Sequence, residues 1–230
     1  MKQSLPENMR TALSVVLIVA VTQAFGDISA VRLPPSTPQS LETSATVEIK
    51  YDEAIGQYEK ELAKDIKIHG ERDPIVAVDR SRLGAIWAYK GEYDKAIGYY
   101  EQALASDLKN YGSRDDVVAM DRGNLGTVLT YKGEYDKAIG YYEQALASNL
   151  KNYGSRDEVI AMDQNNLGLV WACKGEYDKA IDYYEQALKS LNLRSERKRL
   201  SKVRELVERN LADAQAGRVQ KRAPNADVQH

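Results

Sequence analysis

One segment recurs along this chain at fixed spacing, and no other feature limits its fold so tightly. GEYDKAIGYYEQALAS begins at Gly91 and again at Gly133, and GEYDKAIDYYEQALKS begins at Gly175, a period of 42 residues. A more diverged copy, KYDEAIGQYEKELAK, begins at Lys50 in the same register. Between the copies lies a second repeating block: DPIVAVDRSRLGAIWAYK, DDVVAMDRGNLGTVLTYK and DEVIAMDQNNLGLVWACK. Such a period marks an array of supersecondary units that bury their apolar faces against one another. The tyrosine bias, 15 Tyr against one Phe, is what copying a single segment produces.

Each block has helical periodicity. Tyr93, Ala96, Ile97, Tyr100, Ala103, Leu104 and Leu108 recur at steps of three and four. Val118, Leu125, Val128 and Leu129 do so in the other block, less cleanly. Gly91, Gly133 and Gly175 stand where one helix ends and the next begins, as C-cap glycines would. Asp73-Pro74 reads as an N-cap followed by proline at the first helical position, and Asp115 and Asp157 hold the place of Asp73. The expected architecture is therefore all-α, a solenoid of helix–turn–helix units. It has about three full repeats, a leading second-type helix and a C-terminal capping helix.

The small and large residues at fixed spacing resemble those of the tetratricopeptide-repeat family. They are Leu83-Gly84, Leu125-Gly126 and Leu167-Gly168 on the first helices. On the second helices they are Ala96/Tyr100/Ala103, Ala138/Tyr142/Ala145 and Ala180/Tyr184/Ala187. Glycine and alanine let helix backbones approach, and the aromatic fills the space beside them. The 42-residue period and NNLG before GEYDKAIDYYEQAL are most similar to the kinesin-light-chain-like branch. Two features depart from it. Arg72-Asp73-Pro74 and its equivalents stand where His-Pro is usual. Arg80, Arg122 and Gln164 replace an apolar residue, which predicts looser packing or an edge position.

In that family one face of the first helix lines a concave groove that holds a peptide or protein segment. The resemblance places Arg82, Tyr89, Asn124, Thr127, Tyr131, Asn165, Asn166, Leu169 and Cys173 on this stripe. Asn124 and Asn166 take the place of an asparagine that holds a peptide backbone, a task suited to a group that both donates and accepts. Arg82 replaces it in the first unit and would pair with a carboxylate. Six of the nine differences between the units beginning at Gly91 and Gly133 fall at 122, 123, 127, 129, 130 and 131. Either the face was tuned for a ligand or an exposed face drifted. The lysine-rich clamp of chaperone-binding members is not evident.

The ends read differently. Lys2 and Arg10, the uncharged stretch from Thr11 to Phe25 and Ala24-Phe25-Gly26 have the layout of a signal peptide over 1–26, cleaved before Asp27. The alternatives are an uncleaved membrane anchor and a buried helix. Residues 27–43 contain a Pro/Ser/Thr-rich linker, 44–193 the array, 194–216 an amphipathic capping helix and 217–230 a disordered tail. The basic side of the capping helix is also the kind that meets anionic surfaces, but its acids dilute the field.

Composition narrows the function. The formal net charge of −2 gives no global field for nucleic acid. His69 and His230 are the two histidines and Cys173 the one cysteine, so no Ser-His-Asp set or zinc-type spacing appears. No phosphate-cradling glycine loop is present. The expectation is a non-catalytic scaffold, needing no cofactor or metal, that binds a protein or peptide in its groove and is exported. The competing readings are a self-associating or membrane-tethered assembly protein and a cytoplasmic adaptor.

Overall fold

The computed structural model describes residues 44–155, 158–191 and 198–222, and the N-terminal signal and linker expectations lie outside them. The described residues form eight helices: α1 (Ser44–His69), α2 (Pro74–Tyr89), α3 (Tyr93–Tyr111), α4 (Asp116–Lys132), α5 (Tyr135–Tyr153), α6 (Glu158–Cys173), α7 (Tyr177–Leu191) and α8 (Lys198–Arg222). The pairs α2/α3, α4/α5 and α6/α7 are the three full repeats. Their first members will be called A helices and their second members B helices, so α1 is a B helix with no A helix before it among the described residues. None of these helices is long and apolar enough to cross a membrane.

The punctuation acts as its chemistry dictates. The Asp73 and Asp115 carboxylates accept the N–H of Ile75 and Val117, each at 2.9 Å, and so start α2 and α4. At the other end Gly133 takes φ +84°, and the N–H of Glu134 reaches back to the Leu129 carbonyl at 2.9 Å. A side chain at Gly133 would meet the steric penalty of the left-handed region.

Inside each repeat a glycine of the A helix faces a tyrosine of the B helix. A Cβ added at Gly84, Gly126 or Gly168 would lie 3.1, 2.9 or 2.6 Å from the ring of Tyr100, Tyr142 or Tyr184. All three rings are buried, and the same cores hold Ala96, Ala138 and Ala180 with Leu125, Leu167 and Val128. Tyr99, Tyr141 and Tyr183 are half-buried against these cores.

Arg80, Arg122 and Gln164 correct an expectation, because they neither loosen the packing nor lie at an edge. All three are buried. The guanidinium of Arg80 donates to the Glu71 carbonyl at 2.8 Å. That of Arg122 donates to the Ser113 carbonyl at 2.8 Å and to Ser148 Oγ at 3.2 Å. Gln164 Oε1 accepts from Ser190 Oγ at 2.9 Å. Arg80 and Arg122 thus pin the turn before their own A helix, while Arg122 and Gln164 bond the B helix of their repeat.

Successive repeats are marked by one recurring ion pair. Lys90, Lys132, Lys174 and Arg218, at or just beyond the ends of α2, α4 and α6 and late in α8, meet Asp52 two turns into α1 and Asp94, Asp136 and Asp178 at the start of the preceding B helix. Exposed pairs of this kind add little stability, but they report register. They show that α8 occupies the position of a fourth A helix. Its Asn210-Leu211-Ala212 aligns with Asn166-Leu167-Gly168, and Asn210 donates to Asn165 Oδ1 at 2.9 Å. The helix runs on to Arg222 rather than ending at residue 216.

Candidate interaction face of the A helices

The nine residues expected on the groove stripe sit on α2, α4 and α6, on the layer of A helices. The structure separates them into buried and accessible sets. Thr127, Asn165, Leu169 and Asn124 are buried. Thr127 donates to the Gly123 carbonyl at 2.9 Å, and its oxygen lies 2.7 Å from the Tyr142 hydroxyl, so it faces the B helix of its own repeat. Asn165 is covered by α8, whose Asn210 bonds it. These four side chains leave little surface for a ligand, Asn165 being closed by α8 and Thr127 turned to α5.

Arg82, Tyr89, Tyr131, Asn166 and Cys173 are half-buried. Arg82 donates to Asp79 Oδ1 at 3.0 Å within its own helix, so its charge is already partly matched. Tyr131 stacks on Tyr93 with ring centroids 5.8 Å apart and planes 14° apart, which fixes one ring against the next. Burial pushes the Tyr89 hydroxyl up, with smaller contributions from Tyr131 and Tyr51. Three atoms of the expected stripe are buried with no hydrogen-bond partner among the described residues: Tyr89 Oη, Asn165 Nδ2 and Asn166 Oδ1. Unsatisfied buried polar atoms are uncommon and call for an explanation.

Two further members escape the sequence reading. Ile75 is 46% exposed and Val78 is 41% exposed. With Arg82 and Tyr89 they run at steps of three, four and seven along α2 and so share its stripe. That spacing is present in the sequence, but by composition these residues read only as the apolar start of the helix. Much of the divergence between copies follows packing. Arg122 and Gln164 bond different groups, and Asn165 bonds α8 where Gly123 has no side chain.

Burial pushes the Cys173 thiol up to about 12. In the native protein Cys173 should therefore react with a water-soluble disulfide reagent at neutral pH at least about 100-fold more slowly than in denaturant. Equal rates in the two states would place the thiol in open solvent. Among the described residues no group of three or more His, Cys, Asp or Glu is placed to hold a metal ion.

Tetratricopeptide-repeat family models match residues 116–192 and 81–110. Among solved structures, BtubC (BKLC) from P. vanneervenii is similar with a TM-score of 0.59 and 20% identity, over 97% of this chain and 95% of that one. A Podosopora anserina putative kinesin light chain with nearly identical TPR-like repeats is similar with a TM-score of 0.64 and 18% identity, over 96% of this chain and 91% of that one. A point variant of that same protein matches equally. No curated protein matches the chain by sequence. At these identities the structural likeness speaks for the fold.

Proposed function

This chain is a tetratricopeptide-repeat protein with a kinesin-light-chain-like fold, and from that premise we propose that it is a non-catalytic scaffold binding an extended protein segment along its A helices. Repeats of this family generally mediate protein–protein contacts, and a solenoid offers a continuous surface for them. The observation that carries the finer reading is the set of polar atoms left without a partner on one stripe, Tyr89 Oη and Asn166 Oδ1 above all. Both atoms are covered in the unliganded chain, and a peptide backbone that displaces the covering side chains supplies donors and acceptors for them. Ile75 and Val78 add an apolar end to the stripe, so the segment carries apolar side chains at one end.

The test places a photo-crosslinking residue at position 75, which is exposed, rather than at the poorly reactive Cys173. A control crosslinker stands at Val219, which is 62% exposed on α8. The expected result is a partner captured from position 75 alone. Asn166→Ala should weaken its binding about tenfold, the scale of one lost hydrogen bond to a buried group. Capture of the same partners from both positions, or crosslinks only between copies of this chain, would overturn the reading.

A further inference from the structure

Each of α1, α3 and α5 meets the A helix that follows it through one polar pair, and the three pairs differ in a revealing way. Residue 65, 107 or 149 of the B helix is matched with Asp79, Asp121 or Asp163, always 14 residues later. At the last pair Asn149 donates to Asp163 Oδ2 at 2.7 Å. At the first pair, Asp65 with Asp79, the guanidinium of Arg82 is bonded to Asp79. The middle pair has neither remedy, because its B-helix member is Asp107 and the residue in the place of Arg82 is Asn124.

The middle pair is closed to solvent, with Asp107 3% and Asp121 1% exposed. The two carboxyls lie within hydrogen-bonding range of each other. Ser81 of α2 donates to Asp121 Oδ1 at 3.3 Å, while Asp107 Oδ1 and Asp121 Oδ2 have no donor among the described residues. The titratable groups around them offer no relief. Asp115, at the start of α4, adds like charge to Asp107, and the Tyr100 phenol of α3 is kept from ionising first by its own burial and then by Tyr89 and Asp121. Arg122, next in sequence, is turned away to Ser113 and Ser148. Two buried carboxylates in contact cannot both remain charged, and one bound proton supplies the missing donor.

We propose that Asp107 and Asp121 form a proton-binding site that tightens the joint between the first two full repeats when it holds one shared proton and loosens it when that proton leaves. Asn149 is the internal control, because an amide donates permanently where the Asp107 carboxyl donates only when protonated. Burial, the first cause at both groups, pushes Asp107 and Asp121 above the usual carboxylate range. The sign follows. The folded joint holds more protons than the unfolded chain from about pH 4 upward, so stability is full in acid and lost as pH rises through the folded pKa. The joint spans α2, α3 and α4, which carry Arg82 and Tyr131, so proton release also alters the spacing along the interaction face.

Thermal unfolding of the full chain between pH 5 and 8 tests this, in wild type, Asp107→Asn and Asn149→Asp. Asp107→Asn should raise Tm by about 5 °C at pH 8, leave it within about 1 °C at pH 5, and so flatten the profile. Asn149→Asp installs a second carboxyl pair and should steepen the fall of Tm with pH. The comparison with Asp107→Asn isolates the pair from other acids of raised pKa, such as the half-buried Asp163, which desolvation pushes up to about 7. Equal shifts at both pH values for Asp107→Asn would overturn the proposal. So would wild type at pH 8 being stabilised by added calcium chloride as much as by acid, which would make the pair a cation site.

Discussion

Tyr142→Ala is expected to destabilise the array by about 3–5 kcal/mol, the range for emptying a large aromatic from a core. At the sensitivity typical of a domain of this size, that is a fall in Tm of about 10 °C. The ring is 1% exposed, in the central repeat, with Gly126 so close that a Cβ there would stand 2.9 Å from it. Removing the ring leaves a void bounded on one side by a glycine, which has no side chain to fill it. Tyr142→Phe keeps the ring and loses the contacts of the hydroxyl with Thr127 and Thr130, whose own hydroxyls retain the Gly123 and Gly126 carbonyls as partners. That variant should cost about 1 kcal/mol or less. Chemical denaturation of the two variants side by side reads the difference. If they cost the same, the tyrosine is held by its hydroxyl and the glycine–ring packing is not what joins the two helices.

That packing is also why the fold is legible in the sequence. Gly126 and Tyr142 are 16 residues apart, and the same pair stands at Gly84/Tyr100 and Gly168/Tyr184. A contact written three times at one spacing cannot be mistaken for chance, and the turn glycines divide it into helices. What the repeat cannot show is which polar residues face inward. Arg122 looks like a surface residue until its guanidinium is seen to pin the turn nine residues earlier. Asn124 and Thr127 share the stripe of Tyr131 by helical geometry alone, yet both are buried. Periodicity gives an angle around a helix, and burial depends on what the next repeat places over that angle. The carboxyl pair shows the same limit. The exchange of Asp107 for Asn149 is visible in the sequence, but its meaning requires knowing that each faces an aspartate 14 residues on.

The C-terminal helix marks the other limit, and removing it gives the largest effect expected outside the repeats. Sequence periodicity identifies an amphipathic helix but not its role as a fourth A helix, because its register is displaced by two residues: Arg218 stands 44 rather than 42 residues after Lys174. In the structure Val207 and Ala214 are buried with Ile181, Tyr184, Ala187 and Leu191, and Asn210 is bonded to Asn165. Ending the chain at Leu191 would expose this surface and leave the last repeat without its neighbour, so the truncated protein should lose its single cooperative transition and associate on warming. Val207→Asp asks the same question without truncation. A carboxylate at a fully buried site in a nearest-neighbour array should cost about 3–5 kcal/mol, whereas Arg209→Glu on the exposed side should change stability by about 0.5 kcal/mol or less. If α8 served mainly as a basic surface for an anionic partner, the order would invert in a liposome-binding assay, with Arg209→Glu damaging and Val207→Asp harmless. The expected order, seen by denaturation, would instead make the helix the closing layer of the solenoid, on which the last stretch of the interaction face depends.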